Sequence, residues 1–558
     1  MTDIKNTIRK HALKNALDFG KANASSVVGK VIAEAPNCKK DMKTTIAEIN
    51  RIIIEINKMP KKEIEHEIKK YEFIEKPKEE KKDFDIANAE IGKVITRFPP
   101  EPSGYPHIGH AKAAFLDYEI AKQHNGKFIL RFDDTNPEKE SQEFVEAIKE
   151  GLNWLGLRWD AESYTSDNIE KIYDYCSNLI LRGKAYVCIC KQEEISRNRA
   201  EMKECGCRND VDHYDNDMGW DCMLSGHYEE GEAILRFKGD MKSLNTVMRD
   251  PTLARTLTAK HYRQMGKYRV WPGYDLAVVI MDHLENITHP ARTKEYELRD
   301  ELYYALCDAL DFKRPDLIGF SRLEIKGAPI SKRLLKPLVE QGKVLGWDDP
   351  RLPTLAGLRR RGILPEAIKD FVLSFGLSKV ESEPTWDKLL SENRKLLDPT
   401  AKHYFFVPDP IELSTGHKGE VSYKIRGAEE RKTKMSDTIL IPKGDFNSLK
   451  QGEVFALKNL IFAKFDGKKL VDVNQKEIPE KKIQWVNAHD NLKCEVLVPR
   501  DLLDESGDYN EKSLEHVSGY CERYCENIKE GEIVQFERFG FCRLDRKEKG
   551  KLVFVYSC

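Results

Sequence analysis

Two histidines one helical turn apart close the run Arg97-Phe98-Pro99-Pro100-Glu101-Pro102-Ser103-Gly104-Tyr105-Pro106-His107-Ile108-Gly109-His110. Imidazoles at the start of a helix can contact polyphosphate, because that end also carries free backbone N–H groups and a positive dipole end. Gly109 between them leaves room for a flat base. On residue types alone, a Pro-rich surface loop with two histidines fits equally well. A second candidate is the pair Cys188-Ile189-Cys190 and Cys205-Gly206-Cys207. Four thiolates at paired spacing can complete a tetrahedral zinc site, which would be structural because no coordination position stays open. The spacing is tighter than the common C-x2-C knuckle, so four unrelated reduced thiols remain the alternative. His213, Tyr214 and Cys222 are spare ligands.

Placing the histidines requires a strand, a turn and a helix. Lys93 to Phe98 is β-leaning, Ala111 to His124 has helical spacing and stops at Asn125-Gly126, and Lys127 to Phe132 predicts a second strand. That is a βαβ unit. Asp134-Thr135-Asn136-Pro137 predicts the start of a further helix, with Phe144, Ile148, Leu152 and Leu155 on its core face. Upstream, Ile46, Ile49, Ile53 and Ile56, then Ile64 and Ile68, recur at helical spacing, and Glu75 to Asp83 is expected to be a solvated linker. Beyond Pro399, short β-rich runs separated by turns such as Asp466-Gly467-Lys468 predict one or two all-β barrels.

At 558 residues the chain exceeds one core, and three to five domains are expected. A net charge of -1 supplies no global basic field, so a nucleic-acid partner would need basic residues placed locally. Without a membrane-length apolar run or a signal-peptide core, a cytoplasmic protein and no membrane partner are expected. Its thirteen cysteines are then expected to be reduced.

Pro106 to His110 matches the HIGH signature of class I aminoacyl-tRNA synthetases. Arg97 to Lys112, with Arg131-Phe132-Asp133-Asp134-Thr135-Asn136-Pro137, resembles the glutamyl/glutaminyl branch of that class. Ala328-Pro329-Ile330-Ser331-Lys332-Arg333 resembles the KMSKS signature in its Ser-Lys-Arg form, with Leu334-Leu335 where a further lysine is common. Gly346 to Thr354, with Leu358 to Ile363, is another long match. The ending Val534 to Phe541 resembles the C-terminal barrels of glutaminyl and archaeal/eukaryotic glutamyl enzymes, whereas bacterial glutamyl enzymes are helical there. From about residue 93 to 558 the sequence is identified as a member of the class I glutamyl-tRNA synthetases of archaeal/eukaryotic type.

The resemblance implies a multidomain fold. It comprises a helical N-terminal extension (1–90), a Rossmann-like α/β catalytic domain in two halves (91–182 and 266–345), and an inserted acceptor-end-binding domain (183–265). A helical connector (346–397) and β-barrels that bind the anticodon (398–558) follow. The N-terminal extension would dock tRNA or a partner protein, or be a plain helical appendage. Relatives often hold a zinc in the insertion and are usually monomers.

The implied reaction is ATP- and Mg2+-dependent activation of L-glutamate to glutamyl-adenylate, then transfer to tRNA(Glu); whether tRNA(Gln) is also charged stays open. His107, His110, Ser331 and Lys332 are implied catalytic residues. Glu101, Pro102, Ser103, Gly109, Thr293, Arg322, Leu323 and Ile330 join them around ATP. Arg97, Asp133, Tyr274 and Arg292 would hold glutamate, with Asp133 at the α-ammonium. A buried guanidinium matches a carboxylate by two parallel charge-assisted bonds. Facing a neutral amide it would be uncompensated, at a cost of about several kcal/mol. Glutaminyl enzymes carry a small uncharged residue at the equivalent of Arg292, and tend to have Asn at Ser103. The rival readings are a glutaminyl-tRNA synthetase and a non-catalytic tRNA-binding paralogue. Arg359, Arg360 and Arg361 are expected to contact phosphates.

Overall fold

The computed structural model describes residues 2–19, 22–35, 42–71, 84–208, 213–381, 383–416, 419–426, 430–435, 437–474 and 477–558; the expected linker, Glu75 to Asp83, lies outside them. The chain divides into two compact units, Met1–Asp83 and Phe84–Cys558.

The first unit holds helices α1 (Thr2–Phe19), α2 (Ala24–Glu34), α3 (Met42–Ile56) and α4 (Lys61–Glu67). Its core is aliphatic, including Ile8, Leu13, Val27, Val31, Ile49, Ile53, Ile56 and Ile64. Ile46, expected on the same face, is instead 41% exposed. The buried stripe of α3 runs through Thr45, Ile49, Ile52, Ile53 and Ile56, so Thr45 fills the buried position in that turn.

In the second unit, β1 (Ile95–Phe98), β2 (Lys127–Phe132) and β3 (Ala161–Tyr164) form a parallel sheet with Ile95 opposite Lys127. The crossovers are α5 (Ile108–Gln123) and α6 (Gln142–Trp154). β2 is buried on successive residues from Phe128 to Phe132, as a strand covered on both faces requires. α6 starts later than Asn136-Pro137 predicts: Ser141 is its N-cap, accepting from Phe144 N–H. The Asn136 N–H donates instead to Glu140 Oε1 at 2.8 Å, so the Asp-Thr-Asn-Pro segment closes a loop rather than capping a helix.

After α7 (Ile169–Leu181) comes an antiparallel sheet of β4 (Ala185–Cys188), β5 (Ile234–Phe237), β6 (Thr252–Thr256) and β7 (Val270–Pro272). Helices α8 (Gln192–Ala200) and α9 (His213–Ser225) lie between β4 and β5 in sequence. Next, α10 (Tyr274–Leu284) leads to β8 (Ala291–Thr293), α11 (Asp300–Ala309) and β9 (Ile318–Phe320), with β8 and β9 parallel. Ile95 ties this second pair to β1: its N–H donates to Thr288 Oγ1, and its carbonyl accepts from the N–H groups of Thr288 and His289.

The helices α12 (Lys332–Glu340), α13 (Leu355–Arg361), α14 (Pro365–Leu373) and α15 (Trp386–Leu397) follow. Gly362 ends α13 at φ 86°, the left-handed conformation glycine adopts without strain. The start of α13 is joined to the histidine turn by backbone alone. Ile108 N–H donates to Pro353 O and Leu355 N–H to Pro106 O, both at 2.9 Å, flanking a bridge between His107 and Thr354.

From residue 402 the described chain is dominated by strands. One seven-stranded sheet runs, in order, Lys402–Tyr404, Ile533–Phe536, Gly540–Glu548, Lys551–Tyr556, Asn491–Pro499, Leu514–Glu522 and Phe406–Pro408. Its two outer strands are separated in sequence only by Phe405, so the sheet curls almost closed. Smaller antiparallel and mixed sheets between residues 410 and 487 enclose a second core around Phe405, Tyr423, Ile439, Phe455 and Trp485. Among the described residues no helix is long and apolar enough to cross a membrane.

Candidate active site

The histidine turn is built on its own backbone. His107 is the N-cap of α5, and its Nδ1 accepts from Gly109 N–H at 3.1 Å. His107 N–H in turn donates to His110 Nδ1 at 3.2 Å. With Nδ1 of each ring accepting, the neutral proton of each sits on Nε2. The rings lie 3.9 Å apart. Burial, then the neighbouring His110 and Arg322, pushes His107 well below the usual imidazole range. Burial pushes His110 down to about 4. At neutral pH the turn therefore presents two uncharged Nε2–H donors. A Cβ on Gly109 would come within 2.9 Å of His107 Cε1 and 3.0 Å of Nδ1, so the glycine holds the histidine ring in place.

Ser331 is the N-cap of α12 and makes no side-chain cap bond. The adjacent Lys332 reaches across to the first motif: its Nζ donates to Ser103 O and lies 4.6 Å from the Phe144 ring centroid. Burial, then Lys336, lowers its ammonium below the usual lysine range. Leu323 is buried, and its carbonyl lies 3.6 Å from where a Gly109 Cβ would be. Arg322 is exposed and paired with Glu295 and Glu324, each at 3.0 Å. Glu101 is exposed and Pro102 buried; Ser103, Thr293 and Ile330 are half-buried. Lys112, in the first turns of α5, donates to Ser321 O and Oγ at 2.5 and 3.0 Å, joining the approaches to both motifs.

On the opposite half, Arg292 in β8 is 6% exposed. One terminal nitrogen donates to Tyr274 Oη at 3.2 Å and the other to Asp300 Oδ1 at 3.1 Å. Its Cζ lies 5.2–5.9 Å from the ring centroids of Tyr303, Tyr296 and Tyr274. Its Nε is buried with no hydrogen-bond partner among the described residues. A caged guanidinium with a donor left over suits an anion.

Arg97 and Asp133 are both drawn into a buried ionic network. Arg97 is fully buried; Nε donates to Asp282 Oδ1 at 3.0 Å and NH1 to Ala291 O at 2.8 Å. Burial opposes its charge, but Asp282 keeps it above the ordinary arginine value. Asp133 Oδ1 accepts from Arg131 Nε and Thr165 Oγ1, both at 2.9 Å. Arg131 NH1 continues to Asp282 Oδ1 at 2.8 Å and Glu285 Oε2 at 2.9 Å. Asp282, Arg131, Tyr303 and Tyr296 were not singled out by sequence reasoning. The one available signal was an acid at 282 amid the apolar run of α10.

The four cysteines converge around the end of β4 and the segment between α8 and α9. Their sulfurs lie within 4.8 Å of one another, with Cys188–Cys205 at 3.6 Å, Cys190–Cys205 at 3.2 Å and Cys190–Cys207 at 3.8 Å. Four ligands at the usual Zn–S length of about 2.3 Å define a tetrahedron with edges of about 3.8 Å. The thiol separations scatter about that figure, so side-chain shifts of under about 1 Å would complete it. Arg236 NH1 lies 3.8 Å from Cys188 Sγ, placed to support thiolate charge. Of the spare ligands, the side chains of His213 and Tyr214 lie outside the described residues, and Cys222 stands apart from the cluster.

The three arginines of α13 separate. Arg359 is exposed and pairs with Glu150 at 2.9 Å; Arg360 forks onto Asp545 with two 2.9 Å bonds. Arg361 is 4% exposed, 4.8 Å above the Trp386 ring, and burial lowers it to about 10. It anchors α13 to α15, so the expected phosphate contact does not extend to it.

Comparison with known proteins agrees with this architecture. Residues 93–399 match the model of the catalytic domain of class I tRNA synthetases (E and Q). Residues 401–486 and 482–545 match two anticodon-binding domain models of the same group. A glutamate–tRNA ligase of Nitrosopumilus maritimus is 42% identical over 98% of both chains. Those of Cenarchaeum symbiosum and Pyrococcus furiosus are each 38% identical over the whole of both chains. With the catalytic match spanning more than half its length and such relatives running end to end, the chain belongs to the class I tRNA synthetases of the E and Q group.

Proposed function

We infer that the chain is a glutamate–tRNA ligase, activating L-glutamate with ATP and transferring it to the 3′ end of tRNA. The observation that carries the glutamate assignment is Arg292, a caged guanidinium with an unpartnered Nε beside Tyr274. Asp300 pairs only part of that guanidinium, at 3.1 Å; a ligand carboxylate adds a second, charge-assisted partner, which a neutral amide supplies only weakly. Asp133, whose Oδ1 is engaged by Arg131 and Thr165, would receive the α-ammonium through Oδ2. Arg97 supports the pocket from behind, since its own donors are directed to Asp282 and Ala291 O.

ATP would lie against the start of α5, its phosphates meeting the Nε2–H groups of His107 and His110 and its base over Gly109. Glu101, Pro102, Ser103, Thr293, Arg322, Leu323 and Ile330 would complete the pocket. The glutamate α-carboxylate attacks the α-phosphorus and pyrophosphate leaves. Ser331 and Lys332 would then stabilise the moving charge, which requires Lys332 to exchange the Ser103 carbonyl for phosphate. Mg2+ on the phosphates would neutralise charge. No protein nucleophile is needed; positioning and electrostatics carry the rate. In the insertion, Cys188, Cys190, Cys205 and Cys207 would hold a structural Zn2+, with no part in the reaction. The β-rich C-terminal region would bind the anticodon stem, and tRNA(Glu) is the cognate partner.

The test is charging with labelled glutamate and glutamine, tRNA present throughout, by wild type and Arg292→Cys. Glutamate charging by wild type, lost in the variant, supports the reading. Glutamine charging by wild type overturns the specificity argument, and ATP consumption with neither amino acid overturns the ligase assignment.

A further inference from the structure

The two ends of the amino acid would be read by residues from different halves of the catalytic domain, Asp133 after β2 and Arg292 in β8. No direct contact joins them; both lead instead to one carboxylate. Asp282 is fully buried in α10, and its Oδ1 accepts from Arg97 Nε and Arg131 NH1 at 3.0 and 2.8 Å. Its Oδ2 accepts from Tyr303 Oη at 2.9 Å. Arg131 passes directly to Asp133. Arg97 holds the carbonyl of Ala291, the residue before Arg292. The Tyr303 ring lies beneath the Arg292 guanidinium, 5.2 Å from Cζ.

We propose that Asp282 is a positioning residue that sets the span between the ammonium site at Asp133 and the carboxylate site at Arg292, and thereby the side-chain length accepted. This rests on the glutamate reading above. A close-packed interior does not stretch continuously, so a span pinned at both ends to one buried carboxylate is a fixed length. Discrimination matters here because aspartate differs from glutamate by one methylene, which an apolar pocket alone distinguishes only about 10- to 200-fold. With both charged groups fixed, aspartate can reach one end or the other but not both, so it forfeits one charge-assisted contact. A network that merely holds the fold together would affect ATP and amino acid alike.

The experiment is tRNA-dependent pyrophosphate exchange with L-glutamate and L-aspartate, measuring kcat and the KM values for ATP and amino acid. Tyr303→Phe keeps the ring under Arg292 and deletes one donor to Asp282. Asp282→Asn keeps the shape and removes the charge. The expected rise in KM for glutamate is about fivefold for Tyr303→Phe and about fiftyfold for Asp282→Asn. KM for ATP should stay within about twofold, and the glutamate-to-aspartate ratio of kcat/KM should fall in the same order. If Asp282→Asn does not fold, Tyr303→Phe decides the matter. A folded Tyr303→Phe with unchanged glutamate KM and selectivity overturns the proposal, as does an equal rise in both KM values. If wild type exchanges with neither amino acid, the glutamate reading falls first and takes this proposal with it.

Discussion

The histidine turn and the charged wall around Arg97, Asp133 and Arg292 are built from opposite materials. The turn at His107 to His110 is neutral and held by backbone: each ring accepts from a main-chain N–H within three residues. The wall at Arg97, Asp133 and Arg292 is ionic and held by side chains gathered from distant segments. Backbone-held donors cost no charge burial and tolerate any ligand with acceptor oxygens. A side-chain network buries several charges, and its reward is a geometry that only one ligand satisfies. On the proposed reading, general affinity for phosphate and selectivity for one amino acid would fall to different construction.

Breaking the wall should have the largest effect. Arg292→Ala is expected to lower kcat/KM for glutamate about 1,000-fold, the cost of truncating one partner of a desolvated charge pair. KM for ATP, measured in the same charging assay, should barely move. Gly109→Ala strikes the turn instead. It drives a methyl into the His107 ring and should reduce the exchange rate about 100-fold, the usual penalty for a misplacement near 1 Å. Fluorescence titration should then show the amino-acid side intact.

The thiol cluster offers a third kind of construction. Chelation should lower the melting temperature by about 5 °C and leave Cys190→Ser unaffected. Stoichiometric zinc by elemental analysis in wild type, and none in the variant, would match it.

The smallest effect sharpens the contrast. With His110 near 4, exchange should vary less than about twofold between pH 6 and 8 from this group. The same shift makes the unfolded chain bind the extra proton first, so this group's contribution to stability falls as pH drops from about 6.5 toward 4. Urea melts across that interval should show the decline, reduced in His110→Gln.

The same contrast explains how much could be read in advance. The βαβ unit, the histidine turn and the thiol pairs are local, so spacing along the chain stands for spacing in space. Cys188 to Cys207 could be named as one cluster because the two close pairs lie within twenty residues of each other. Asp282 could not: its partners Arg97, Arg131 and Tyr303 come from three elements, and an acid at the end of an apolar helical run says nothing about which cations meet it. Arg361 was misread for a related reason, since three consecutive arginines on a helix face different directions. The helix start at Ser141 was missed because Asn136 had an alternative acceptor in Glu140, four residues on.

The two main-chain bonds between Pro106–Ile108 and Pro353–Leu355 join the histidine turn to the first turn of α13 without a side chain between them. Such a seam is indifferent to nearly every point mutation, because all residues except proline keep the N–H. Beyond α13, Arg360 grips Asp545 of the β-rich region through two bonds. The histidine turn and the β-rich region are thus linked through α13 by two peptide hydrogen bonds at one end and one forked ion pair at the other, and only the second of these depends on which side chains are present.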